Sequence, residues 1–214
     1  MDTTQSRAYR SPRRQAQAEA TRTAIVRAAA RLFADRGYAG TTMQAVADEA
    51  GVAVESVYKA GSKAQLLRRA HDEAVAGDDR PVALLERDEV RAALTVDDQY
   101  ALIRAFSRTV ADRARTLSPI SRAFVQAAGA DPAINASWEE LESQRRTDLR
   151  RLVDAIAALG PLRPGLTADR GATLVWTLLN HQSGWLVTHH LGWDDDQVAD
   201  WMTETITCLL LPPG

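Results

Sequence analysis

The stretch Thr41 to Lys63, TTMQAVADEAGVAVESVYKAGSK, constrains this chain more than any other, because it sets three helix boundaries within a few turns. Thr41 with Gln44 three residues later has the form of a capping box, which predicts a helix from Thr42 with Val46, Ala47 and Ala50 on a small apolar face. Gly51 suits the left-handed position that ends a helix and turns the chain. From Val52 to Tyr58 a second short helix is predicted, with Val54 and Val57 spaced to face inward and Glu55, Ser56, Tyr58 and Lys59 outward. Gly61 stops it, and Ser62 with Gln65 forms a second capping box that opens a third helix at Lys63, whose apolar stripe begins at Leu66 and Leu67.

Helix, glycine turn and helix with polar outward residues is the helix-turn-helix pattern, in which the second helix enters the major groove of DNA. A helical corner in any all-α domain has the same local signals, so the surrounding sequence decides. Upstream, AIVRAAARLFADRGYAGTT predicts an amphipathic helix with Ile25, Ala28, Ala29, Leu32 and Phe33 on one face and a stop at Gly37-Tyr38.

With these residues in place, ARLFADRGYAGTTMQAVADEAGVAVESVYKAGSKAQLL resembles the N-terminal DNA-binding domain of the TetR family of bacterial transcriptional regulators, over about residues 20 to 75. The likeness rests on the Leu-Phe pair, the Gly-Tyr stop, the Thr-Thr cap, the Ala-Gly-Val turn, a Tyr late in the second helix and a Lys opening the next. The chain departs from the family in having Ala53 where a Ser or Thr usually caps the recognition helix, and Lys59, Ala60 and Gly61 where an aromatic pair usually follows the Tyr. The resemblance implies an all-α protein that dimerises through its last two helices, with a three-helix DNA-binding domain and a larger helical body that takes a small-molecule effector and usually represses.

Charge agrees with a nucleic-acid partner confined to one end. Residues 1 to 69 hold 12 Lys and Arg against 6 Asp and Glu, whereas the whole chain carries a formal charge of -2; the remainder is acidic, and phosphate neutralisation dominates affinity for DNA. Residues 1 to 15, with Arg7, Arg10, Arg13 and Arg14, read as a disordered basic arm. Residues 16 to 76 read as the DNA-binding domain and 77 to 214 as the effector-binding and dimerisation domain. The start of the chain has no signal-like apolar core, and no apolar run approaches the length that spans a bilayer, so a cytoplasmic protein with no membrane partner is expected. Cys208, the single cysteine, lies among Ile206, Leu209 and Leu210 and is expected to be a buried free thiol.

The body reads as helices throughout: the first from about Arg14 to Arg36, the fourth from Lys63 to about Ala76, then Val82 to Leu94 and Asp97 to Leu117. Ser118-Pro119 and Asp131-Pro132 each read as an N-cap with Pro at the first helical position, the second helix ending at the GPLRPG run of residues 160 to 165. Thr167 caps a helix with apolar residues on all sides as far as Val187, and the last runs from about Asp195 to Leu211. These two are expected to form a four-helix interface with a second copy.

In the predicted interface, Thr41, Thr42, Tyr58, Lys59 and Lys63 contact phosphates, and Val54, Glu55 and Ser56 at the start of the recognition helix reach base edges. Phe106, Phe124, Trp138, Trp176, Asn180, His181 and Trp185 are the candidate effector lining, though aromatics at helical spacing also build ordinary cores. His189 and His190 with Asp194, Asp195 and Asp196 lack the spacing of a metal site, so no catalytic residue, metal or cofactor is expected. The remaining alternative is a helical adaptor or ligand-binding protein that does not read DNA.

Overall fold

The computed structural model describes residues 12–77, 87–93 and 95–213, and among them the chain is helical without a strand. The helices are α1 (Pro12–Arg36), α2 (Met43–Ala50), α3 (Val54–Ala60), α4 (Lys63–Ala76), α5 (Asp88–Ala93), α6 (Gln99–Ala128), α7 (Pro132–Leu159), α8 (Ala168–Leu178), α9 (His181–Trp185) and α10 (Asp195–Leu210). A π-helical turn, Leu186–His190, continues α9. Residues 12 to 15, expected in the arm, already belong to α1; the arm before them, and residues 82–86 and 94 of the helix expected from Val82 to Leu94, lie outside the described residues, and α5 forms within the rest of that span.

Two buried clusters organise the chain. The first joins Ile25, Ala28, Leu32 and Phe33 of α1 to Val46 and Ala47 of α2, Val57 of α3, and Leu66, Leu67 and Ala70 of α4. It extends into the body, taking Ile120, Ala123 and Phe124 from α6 and Ile134 from α7. The second is built from α6, α7, α8 and α10, around Leu102, Ile103, Phe106, Leu152, Ile156, Val175, Ile206 and Leu210. α6 thus belongs to both, and packs against α1, α4, α7, α9 and α10.

That double membership explains a departure from the sequence expectation. Ser118-Pro119 does not start a helix; α6 runs through Pro119 without a break. A proline inside a helix removes one hydrogen bond and costs about 3 kcal/mol. Ser118, Ile120, Ser121 and Phe124 are all buried, so packing on both sides of the proline holds the helix together. Asp131, by contrast, caps α7 as expected, its carboxylate accepting from the backbone N–H of Ala133 and Ile134.

The helix expected from Thr167 to Val187 is also interrupted. Thr167 caps α8 by accepting from Arg170 N–H, but the helix ends at Leu178. Asn180 then caps α9, accepting from Gln182 and Ser183 N–H and donating to the Thr177 carbonyl. A residue whose side chain competes for backbone hydrogen bonds breaks a continuous apolar pattern. Cys208 is exposed rather than buried, on the outer side of α10.

Candidate nucleic-acid interface and ligand cavity

The N-terminal head has the expected three-helix arrangement with one corrected cap. Thr42, not Thr41, caps α2, its hydroxyl accepting from Ala45 N–H at 3.1 Å. Gln44 donates to Asp48 instead of reaching back, so the Thr41–Gln44 box does not form. Thr41 is buried, and its hydroxyl lies 2.9 Å from the Gly37 carbonyl and 3.1 Å from that of Leu32. Its side chain locks the end of α1 and has no free face for a phosphate. Gly51 takes the left-handed conformation at φ 67°, which sends the chain from α2 into α3.

α3 has no side-chain cap, as Ala53 requires. Val57 is buried beneath it, and Val54 packs partly onto the first cluster. Val54 is therefore a wall residue, and the outward surface of α3 consists of Glu55, Tyr58 and Lys59, with Ser56 half-buried at its edge. Tyr58 is 64 % exposed, which leaves much of its side chain open to a partner. Arg69 donates to the Ala60 carbonyl at 2.5 Å, tying the end of α3 to α4.

The Ser62–Gln65 box forms in both directions, at 3.2 and 2.9 Å, and starts α4 at Lys63. The Lys63 ammonium sits 4.3 Å from the centroid of the Tyr38 ring, and burial holds its pKa below the ordinary lysine value. Part of the head's positive charge is engaged internally. Arg27 pairs with Glu73 and Arg31 with Glu49, both at 2.8 Å, clamping α1 to α4 and α2. Lys59 and the partly exposed Lys63 flank the outer end of α3.

In the body, α4, α6, α7, α9 and α10 enclose a cavity of about 730 Å³. Of the candidate lining, Phe106, Trp138, Asn180 and His181 face it. The other three do not. Phe124 is fully buried behind the wall, its ring 5.3 Å from Trp138 and 5.8 Å from His71. Trp176 lies outside and donates its indole N–H to Glu142 at 2.7 Å. Trp185 stacks on His189 at 3.7 Å, lies under the Arg122 guanidinium, and borders a separate small cavity with Phe33 and Pro119. Asn180 and His181 keep contact with the main cavity, but the Asn180 amide is already engaged as a cap.

Sequence reasoning found His181 but missed His71 and the cavity's charged residues. Arg68, His71 and Asp72 enter from α4, Arg113 from α6, and Glu142, Arg145 and Asp148 from α7. A signal was present for two of them, polar residues that interrupt an apolar stripe: His71 between Leu67 and Ala74, and Arg113 between Val110 and Leu117. His71 is buried and its Nδ1 has no hydrogen-bond partner. Burial above all, with Arg68 and His181 nearby, pulls its pKa down to about 3, so the ring is neutral near pH 7. His181 is likewise lowered, by burial first, with Glu142 opposing and Arg145 assisting. Its ring meets Trp138 edge-on at 4.7 Å, and its Nδ1 is 3.8 Å from a Glu142 oxygen.

The three aspartates beside His189 and His190 have structural partners. Asp194 caps α10 in a capping box with Gln197, Asp195 pairs with Arg115, and Asp196 pairs with Arg108. Among the described residues no helix is long and apolar enough to cross a membrane.

Residues 25–70 match the family model for bacterial regulatory proteins of the tetR family. No curated protein matches the chain in sequence. Among solved structures, a TetR-family regulator from Mesorhizobium loti is similar over 90 % of this chain and 96 % of its own, at 14 % identity and a TM-score of 0.65. NalD of Pseudomonas aeruginosa, a secondary repressor of a multidrug efflux pump, is similar over 92 % and 98 %, at 22 % identity and a TM-score of 0.63. A transcriptional regulator from Saccharomonospora viridis, solved in complex with choline, is similar over 90 % and 98 %, at 19 % identity and a TM-score of 0.67. Over about nine-tenths of its length the chain therefore has the fold of TetR-family regulators.

Proposed function

We propose, for a chain whose residues 25–70 match the tetR family of bacterial regulatory proteins, that it is a homodimeric, ligand-responsive repressor acting on a palindromic DNA operator. The observation that carries this reading is the shared helix. α4 follows the helix-turn-helix directly and also supplies Arg68, His71, Asp72 and Val75 to the cavity wall. A molecule filling the cavity presses on the helix that holds the reading head, and a two-headed dimer is sensitive to the spacing of its heads.

Within the head, Thr42 at the N-terminus of α2 and Tyr58, Lys59 and Lys63 around the end of α3 are placed to hold phosphates. Glu55 and Ser56 are left to contact base edges. Ligand control is supported by the cavity's size, which falls in the usual range for small-molecule sites, and by its largely apolar lining. Phe106, Trp138, Asn180 and His181 remain the effector residues proposed from the sequence, now joined by the charged groups above.

The dimer rests on exposed apolar residues. Leu178, Leu186 and Leu191 are 45 %, 51 % and 56 % exposed, on α8 and the turn before α10, and Cys208 lies on the outer side of α10. A second copy related by a two-fold axis covers them, giving four helices in contact. Sedimentation velocity is expected to show a dimer at micromolar concentration; a monomer there refutes the dimer.

The deciding experiment is a fluorescence-anisotropy titration against the DNA upstream of the protein's own coding sequence and a scrambled duplex, at two salt concentrations. Tighter, salt-dependent binding to the upstream duplex is expected. Binding to neither duplex, nor to any member of a random-sequence DNA selection, removes the regulator and leaves a helical ligand-binding protein.

A further inference from the structure

We propose that the 730 Å³ cavity takes an amphipathic organic acid, an anion with an apolar body, and that Arg113 meets its charge. The inference deepens the reading of this cavity as an effector site and rests on it. Four arginines line the cavity: Arg68, Arg113, Arg145 and Arg151. Three have carboxylate partners. Arg68 pairs with Asp72 and Glu140 at 3.1 and 2.9 Å, Arg145 with Glu142 at 3.3 Å, and Arg151 with Asp148 at 3.5 Å.

Arg113 differs. Among the described residues no carboxylate pairs with it, and its one hydrogen bond is from Nη1 to the Thr109 carbonyl one turn back, at 2.6 Å. That bond fixes the guanidinium and leaves most of its donors unengaged. The guanidinium is a half-buried cation with five N–H donors in a planar fork. A carboxylate or similar acid group matches the guanidinium fork with two parallel hydrogen bonds.

The surroundings of Arg113 determine the rest of the ligand. Val110, Ala114 and Leu117, its neighbours along α6, line the same cavity, and Trp138, Leu141 and Trp201 supply further apolar wall. The body of the ligand is therefore apolar and its acid group lies at one end. A cationic ligand has no comparable partner, because each of the four carboxylates in the lining already holds an arginine.

The test is calorimetric titration of the full chain, without DNA, with octanoate and 3-phenylpropionate, each beside its primary alcohol, and with choline as a cationic probe. The acids are expected to bind about tenfold more tightly than the alcohols. Arg113→Gln removes that preference while still binding the alcohols, which shows the cavity intact; Arg113→Lys keeps part of it. Equal binding of acid and alcohol, preference retained in Arg113→Gln, tighter binding of choline, or no binding of any probe at millimolar concentration each overturns the proposal. Acids that bind as expected but leave a DNA complex undisturbed refute ligand-driven release and leave the anion site standing.

Discussion

The Lys63 ammonium lies 4.3 Å from the centre of the Tyr38 ring, joining the first residue of α4 to the turn that ends α1. Tyr38 in turn stacks on Phe33 at 5.8 Å, so the contact connects a charged surface residue to the core of the head. The packing contact of Lys63 and its proposed phosphate contact separate by mutation. Lys63→Ala is expected to weaken binding to every duplex alike and to lower the salt slope by about one. Tyr38→Leu is expected to cost about 1 kcal/mol of stability through the lost cation–π contact while leaving the slope unchanged. Anisotropy titrations across salt concentrations check both; a sequence-dependent loss in Lys63→Ala means the residue reads bases.

Thr41 and Thr42 are adjacent and do different work. Thr41→Val removes a buried hydroxyl facing two carbonyls and is expected to destabilise the protein by about 1–3 kcal/mol. Thr42→Ala removes the exposed cap of α2 and is expected to cost about 1 kcal/mol. Urea denaturation gives both values, and only Thr42→Ala should weaken DNA binding in protein that remains folded.

His71 links stability to pH. Its folded pKa, about 3, lies below the 6.5 of the free side chain, so the unfolded chain binds a proton that the folded one refuses. The stability it contributes is whole above pH 6.5 and declines as pH falls from there toward 3. At pH 5 the loss amounts to about 2 kcal/mol for one such group. His71→Phe is expected to lessen the fall in melting temperature between pH 7.5 and pH 5; an undiminished fall places the acid sensitivity elsewhere.

Glu142 holds three partners at the cavity wall: the Trp176 indole, Arg145 and His181. Arg145 also donates to the Leu179 carbonyl, at the break between α8 and α9. Glu142→Leu leaves Arg145 without its counter-charge. The expected cost is about 2 kcal/mol, below the range for fully buried pairs because the Arg145 side chain stays 29 % exposed. The double variant with Arg145→Leu is expected to recover part of that loss in thermal denaturation; additive losses exclude the coupling.

The head was legible because its boundaries are written in local chemistry. Ser62 with Gln65, Gly51, Gly61 and the Leu66-Leu67 stripe act over a few residues, and each stands where the sequence places it. Asp131-Pro132 and Thr167 likewise start α7 and α8. The same vocabulary misled at Ser118-Pro119, where packing from two clusters overrides a strong local break, and at Thr41, where burial assigns the hydroxyl to neighbouring carbonyls.

The cavity was legible only in part, since periodicity identifies an inward face without saying whether core or void lies behind it. Phe124 and Phe106 have the same inward periodicity; one fills the core and the other borders the void. Arg113 and Glu142 are charged, and apolar periodicity does not say which charged residues turn toward a void.

By itself the sequence determined the helix-turn-helix, the all-helical body and the concentration of positive charge at one end. Those properties follow from capping, periodicity and composition, which act within a helix or along the chain. Tertiary structure alone decided that α6 continues through Pro119, that Asn180 breaks the penultimate helix, and that Arg68 and Arg145 pair with carboxylates while Arg113 does not. Each of these depends on which surfaces meet across the fold, where packing and charge pairing between distant residues outweigh local preference.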